Sequence, residues 1–193
     1  MATTIGCMTT SPAMAAAPVT LRAATPDDAL CLGVLGLQVF LDTYATGGIR
    51  PTLAREVLAQ FSTAALQAQL ARADTRFVLA ECDGHLVGFG QWRLPVPQPS
   101  VAAERPAELE RLYVQEPFTR RGIGSALLHH VEDDAAAAGS DALWLTPWVH
   151  NHRALAFYAQ LGYADVGAAW YTFEHERHEN RVLLRRLPAA RQP

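Results

Sequence analysis

Leu112-Tyr113-Val114-Gln115-Glu116-Pro117-Phe118-Thr119-Arg120-Arg121-Gly122-Ile123-Gly124-Ser125-Ala126-Leu127-Leu128 places the end of a strand, a proline-containing turn and a glycine-bracketed helix start in immediate succession. Glu108 to Val114 reads as the strand and Arg121 to Ala138 as the helix, with Ile123, Leu127, Val131 and Ala135 forming its apolar stripe. A helix start carries unpaired N–H groups and roughly half a positive charge from the aligned peptide dipoles, which suits an anion. Gly122 and Gly124 leave the backbone open to close approach, and Arg120 and Arg121 add full charges beside it. A packing turn has the same outline, so this stretch alone leaves both readings open. Two phosphate loops are excluded. The third glycine of a dinucleotide fingerprint would fall at Leu127, and a Walker loop needs a lysine, which the chain lacks.

The flanking sequence alternates strand and helix signals. Val19 to Arg22 reads as a short strand. Thr25-Pro26-Asp27-Asp28 offers a capping hydroxyl, a proline at the first helical position and early acids, so a helix starts there and runs through Leu30, Val34, Leu37 and Leu41 to Gly47-Gly48. A second helix is expected from Pro51 to Arg72. Arg76–Glu81 and Leu86–Trp92 are β-rich runs around Asp83-Gly84, a hairpin signature. Residues 95–106 hold four of the twelve prolines and read as a loop. Beyond the central strand and helix come a strand at Ala142–Thr146, a helix at Asn151–Leu161, and strands at Ala168–Phe173 and Arg181–Leu187. The order β-α-α-β-β-β-α-β-α-β-β predicts an α/β (α+β) domain: a mixed, mostly antiparallel sheet of seven strands flanked by four helices, with parallel neighbours only where a helix makes the crossover. Residues 19–188 form that domain, 1–18 are expected to be a disordered tail, and 189–193 a short C-terminal one.

Composition narrows the function classes. At 193 residues, 50% apolar and 18% charged, the chain fits one folded core. The net charge of −3 and the scattered basic residues give no stripe for a phosphate backbone, which argues against nucleic acid as a partner. No apolar run approaches the roughly 20 residues a spanning helix needs, and Met1 to Pro18 lacks the pattern of a secretory signal. Cys7, Cys31 and Cys82 are an odd, widely spaced set, which suits a reducing, cytoplasmic setting. All sixteen basic side chains are arginine, so the chain has no side-chain amine of its own.

A second motif lies downstream: Val149-His150-Asn151-His152-Arg153-Ala154-Leu155-Ala156-Phe157-Tyr158-Ala159-Gln160-Leu161-Gly162-Tyr163. Taken with Glu108–Val114 and Arg121–Leu128, it resembles the two-part signature of the GNAT acetyltransferases, and the likeness extends over roughly residues 19–187. The resemblance implies a splayed central pair of parallel strands and an acetyl-CoA cosubstrate. The coenzyme would be held by Leu112, Tyr113, Val114, Thr119, Arg120, Arg121, Gly122, Ile123, Gly124, Ser125, Asn151 and Tyr158, with no metal. It departs from the family pattern at Thr119, where Gln or Arg is usual. Most phosphate contacts in such a loop come from backbone N–H groups, which any residue supplies, and threonine adds a hydroxyl.

The implied reaction is transfer of an acetyl group to a primary amine by direct attack through a tetrahedral intermediate. It needs a neutral amine, a polarised thioester carbonyl and a proton for the departing thiolate. A free Val114 N–H at the strand end is the implied carbonyl donor. Tyr158, on the same helix face as Asn151, is the implied acid; a lone tyrosine on a helix would otherwise read as core. Glu108 and Glu110 alternate along their strand, so they are expected on one face, together with Leu112 and Val114, as the base, directly or through water. Pairing with Arg111 or Arg93 on a solvated face is the competing reading. His175 and His178 lack metal-motif spacing. Trp144, Trp148 and Trp170 are expected in the core or at the rim of an acceptor pocket. Acceptor choice is expected from the loops Tyr44–Pro51 and Phe173–Asn180, the latter holding Glu174, Glu176 and Glu179. A small-molecule amine is the leading acceptor, a protein N-terminus or lysine the rival, and a non-catalytic acyl-CoA-binding module the alternative from another class. Monomer and homodimer both fit.

Overall fold

The computed structural model describes residues 18–173 and 176–188. Of the expected tail at 1–18 all but Pro18 lies outside the described residues, as do the tail at 189–193 and Glu174 and His175. Seven strands form one sheet: β1 (Val19–Ala23), β2 (Thr75–Cys82), β3 (His85–Arg93), β4 (Pro106–Val114), β5 (Ala142–Leu145), β6 (Ala164–Phe173) and β7 (Glu176–Arg186). Their spatial order is β1-β2-β3-β4-β5-β7-β6. Every neighbouring pair is antiparallel except β4–β5. The helices are α1 (Ala29–Tyr44), α2 (Pro51–Gln60), α3 (Thr63–Leu70), α4 (Ile123–Ala137) and α5 (His152–Gln160). None of the described helices is long and apolar enough to cross a membrane.

Among the described residues the two larger apolar clusters lie on opposite faces of the sheet, and a small third one gathers Val101, Trp144 and Val182. One of the larger two joins α4 and α5 to the sheet through Leu127, Leu128, Val131, Leu143, Leu145 and Tyr158. The other joins α1–α3 through Leu32, Leu35, Phe61, Leu66, Phe77 and Phe89. The β2–β3 hairpin turns at Asp83 and Gly84, both with positive φ (51° and 74°), the conformation that a two-residue Asp-Gly turn favours.

Three expectations need correction. The single helix expected over Pro51–Arg72 is two, making five α-helices among the described residues in place of four. The break falls at Phe61–Ser62, where the Ser62 hydroxyl accepts from the Ala65 N–H (3.2 Å) and starts α3. The apolar stripe Leu30, Val34, Leu37, Leu41 is not the buried face of α1: Leu30 and Val34 are 61% and 64% exposed, while Ala29, Leu32, Gly33, Leu35 and Gly36 are buried. α1 is apolar on most of its circumference, so close approach rather than hydrophobicity chose its inner face. The last two strands begin earlier than expected because they pair with each other from Ala164–Leu184 to Phe173–Glu176, with one register shift between Asp165 and Gly167.

Candidate active site

The cleft begins where β4 and β5 part. Their parallel pairing covers only Pro106–Glu108 against Ala142–Trp144, and β4 continues to Val114 alone on that side. The cause is local. Beyond Leu145 the chain follows β7: Arg181 N–H donates to Pro147 O (3.0 Å), Val149 N–H to Glu179 O (3.0 Å), and Trp148 bridges to Asn180. β4 meanwhile stays with β3, where Val114 lies opposite Gly88 and Gln115 N–H donates to Val87 O (3.0 Å). In an antiparallel ladder that pattern makes Val114–Gly88 a non-hydrogen-bonded pair. The N–H and C=O of Val114, and of Leu112 two residues earlier, therefore point away from β3 into the gap.

The start of α4 forms the floor of the same gap. Gly122 caps the helix with φ 79° and no side-chain partner, and Arg120 also has positive φ (60°). Ala126 makes the first intrahelical bond, to Gly122 O (2.9 Å), so the N–H groups of Ile123, Gly124 and Ser125 have no helical partner. A Cβ at Gly122 would meet nothing within 4 Å, so the approach to these amides is open. Thr119 sits at the entrance, but its hydroxyl donates to Glu116 O (2.9 Å) and closes the preceding 3-10 turn.

α5 supplies the opposite wall. Asn151 caps it, accepting from Ala154 N–H (3.1 Å), and Tyr158 lies two turns further on the same face. The Tyr158 ring is held edge-on between Phe157 (5.1 Å) and Tyr163 (5.5 Å). Among the described residues its hydroxyl has no hydrogen-bond partner, whereas that of Tyr163 donates to Glu132 (2.8 Å). Burial, and then the nearby Tyr44 and Tyr113, push the Tyr158 phenol well above its ordinary value. It is therefore a proton-bearing phenol throughout the physiological range. One cavity of about 930 Å³ collects these parts: Leu112, Val114, Gly122, Gly124, Asn151 and Tyr158 all line it.

Residues 47–163 match the model of the Acetyltransferase (GNAT) family. This chain belongs to the GNAT acetyltransferases. It is 37% identical over 102 residues to the IAA acetyltransferase of Azospirillum brasilense, covering 51% of this chain and 60% of that one. An uncharacterized N-acetyltransferase from the pepI 3' region of Lactobacillus delbrueckii subsp. lactis is 23% identical over 150 residues, covering 78% and 87% of the two chains. Among solved structures, the PaiA N-acetyltransferase of Thermoplasma acidophilum in complex with coenzyme A superposes with a TM-score of 0.71 at 20% identity, over 88% of this chain and 99% of that one. At that identity the likeness speaks for the fold.

In this GNAT domain the residues expected at the site divide into two groups. Leu112, Val114, Thr119, Arg120, Gly122, Gly124, Ser125, Asn151 and Tyr158 line the cavity. Five others do not. Ile123 is buried beneath the helix start. Arg121 lies over the Phe118 ring (5.0 Å). Tyr113 packs on the other side of the sheet against Phe89 (5.4 Å) and Phe61 (6.4 Å). Glu108 and Glu110 share a face, as expected, but it is the face of Tyr113 and not that of Leu112 and Val114. A β-bulge is the reason: Gln91 pairs with Arg111 and Trp92 with Leu109, leaving Glu110 as the extra residue and reversing the alternation beyond it. Arg93 joins both carboxylates, 2.9 Å from Glu108 and 2.8 Å from Glu110. Gln91 donates to Glu110 and accepts from Arg111, whose guanidinium lies over the Phe61 ring. Burial raises the Glu108 carboxyl above its usual range, partly opposed by its hydrogen bond from Arg93.

Other cavity residues lie outside the expected coenzyme-binding and catalytic sets, although Trp148 and the loop holding Thr46 were expected near the acceptor. α1 presents Val39, Asp42 and Thr43, with Thr46 one turn on, at the i, i+3, i+4, i+7 spacing of one helix face. That spacing was legible, but the stronger apolar stripe on the other side of α1 masked it. His150 and Trp148 line the cavity from the β5–α5 loop, with their rings 4.9 Å apart. Arg153 also lines it and pairs with Glu116 (2.8 Å). Of the two loops expected to choose the acceptor, Tyr44–Pro51 contributes Thr46. None of the described side chains of residues 177–180 lines the cavity.

Proposed function

We propose that this GNAT domain transfers the acetyl group of acetyl-CoA to the primary amine of a small molecule. The observation that carries this is the convergence, in one cavity, of the open amides at the start of α4, the inward main chain of Val114 and the Tyr158 ring. The cavity fits the coenzyme's chemistry: unpaired N–H groups at a helix start and Arg120 suit a diphosphate, and the unpaired edge of β4 suits an amide-bearing chain laid beside it.

Each residue then has one task. The amides of Ile123, Gly124 and Ser125 fix the phosphates, and Asn151 holds the start of α5 against them. The Val114 N–H donates to the thioester oxygen and stabilises the charge that develops there as the amine attacks. When the C–S bond breaks, Tyr158 gives its proton to the sulfur. A phenol with a raised pKa is a weak acid, but the same dry surroundings also raise the proton affinity of a thiolate, so the transfer stays matched. Glu108 and Glu110 do not line the cavity, so the proton of the incoming ammonium leaves through water. The widely spaced cysteines favour a cytoplasmic setting.

Thermal stabilisation by acetyl-CoA tests the coenzyme half, since saturation at a hundred times Kd adds about 2.7 kcal/mol. Release of free coenzyme in the presence of small amines, compared with peptides bearing free N-termini or lysines, tests the acceptor half. Turnover confined to peptides overturns the small-molecule assignment, and binding without turnover of either class makes the protein an acyl-CoA-binding module.

A further inference from the structure

We infer that the α1 side of the cavity is a subsite for a second positive charge on the acceptor, with Asp42 as its anion. This rests on the acetyltransferase reading above. Besides the Tyr158 phenol, six side chains that are ionisable or charged line the cavity: Asp42, Glu116, Arg120, His150, His152 and Arg153. Glu116 is neutralised by Arg153 across the gap between the β4–α4 turn and the start of α5 (2.8 Å). Arg120 stands at the α4 amides, where the phosphates are held. Asp42 is the remaining carboxylate, and among the described residues it has no ion pair or hydrogen bond.

The cavity is thus polarised. One end offers a guanidinium and a helix dipole to an anionic coenzyme; the other offers an unpaired carboxylate, which repels those phosphates and attracts a cation. Asp42 is solvent-exposed on the α1 side of the cavity. Gln38, one turn earlier on α1, accepts from the Gln115 side chain (2.9 Å), which ties this part of the helix to the end of β4 beside Val114. The wall also includes Trp148, whose ring packs on Tyr44 (5.9 Å) and gives a cation an aromatic surface. An amine whose far end carries a second ammonium satisfies both ends: its neutral nitrogen meets the thioester and its charged nitrogen meets Asp42.

Paired acceptors of equal chain length test this: 1,4-diaminobutane, with a second ammonium, and butylamine, without one. The wild-type kcat/KM is expected to favour the diamine by about tenfold, the size of a hydrogen bond to a charged group. D42N is expected to bring that ratio towards one through KM, and added salt to raise the diamine KM in the wild type. Equal use of both amines by the wild type, or an undiminished preference in D42N, overturns the subsite. Acetyl-CoA stabilisation separates the two levels. If the coenzyme stabilises the wild type and the diamine preference is absent, only the subsite fails. If the coenzyme does not bind, the acetyltransferase reading fails and takes the subsite with it.

Discussion

The carbonyl oxygen of Phe61 lies 2.4 Å from where a Cβ on Gly33 would be, so α1 rests on the α2–α3 junction at a distance only glycine permits. A Cβ at Gly36, one turn on, would come within 2.5 Å of the Phe61 ring. This contact sets the rotation of α1 about its axis. It turns Leu30 and Val34 outward and, towards the end of the helix, brings Val39, Asp42 and Thr43 to the cavity.

Substitution G33A is therefore expected to cost about 2–3 kcal/mol, as overpacking against backbone does. G36A should cost less, because the atoms it meets belong to a side-chain ring. Urea denaturation of the two variants checks the order, and equal costs would show that α1 shifts as a whole.

Tyr158 is expected to carry chemistry rather than coenzyme affinity. Y158F should lower kcat about a hundredfold, the low end of general-acid contributions, while thermal stabilisation by acetyl-CoA persists. A parallel loss of both would make the hydroxyl structural.

The two loop glycines should respond differently. G122A places a side chain at φ 79° and is expected to lose about 1–2 kcal/mol of stability, although nothing crowds the new methyl. G124A meets only Phe157 at ordinary contact distance (3.5 Å), so it should fold normally and show its defect as a raised KM for acetyl-CoA. Denaturation and coenzyme titration on the pair separate backbone conformation from phosphate access.

Glu108 and Glu110 are bound to Arg93 and lie outside the cavity lining, so the acid limb of the pH dependence of kcat/KM is expected to survive in E108Q and in E110Q. Disappearance of that limb in either variant would restore a direct role for β4 in deprotonating the amine.

Asp28 gives a separate pH signature. Hydrogen bonds from the Arg22 side chain, foremost, hold its carboxyl at about 2, opposed by burial and helped by Thr25. A lowered folded-state pKa means its stabilisation is complete above the unfolded value near 4 and is lost as pH falls towards 2. The pair is partly solvated, so the effect is expected to be about 1 kcal/mol or less. The gap in melting temperature between wild type and D28N should be constant from pH 7 to 5 and narrow between pH 4 and 3.

The sequence by itself determined the order of the seven strands, the family, and the placement of Gly122, Gly124, Asn151 and Tyr158 around one cleft. Those are local matters: a turn before a helix start, a cap and a tyrosine two turns on are fixed by backbone geometry over a few residues. Tertiary structure alone decided which side of α1 is buried, which way the β4 carboxylates face and which acid reaches the cavity. An almost uniformly apolar helix carries no preferred face until a partner such as Phe61 excludes all but glycine. A bulge that moves Glu108 and Glu110 away from Leu112 depends on the register that β3 imposes. Asp42 becomes a cavity residue only when α1 is laid across the end of β4, a long-range packing relation that no local spacing encodes.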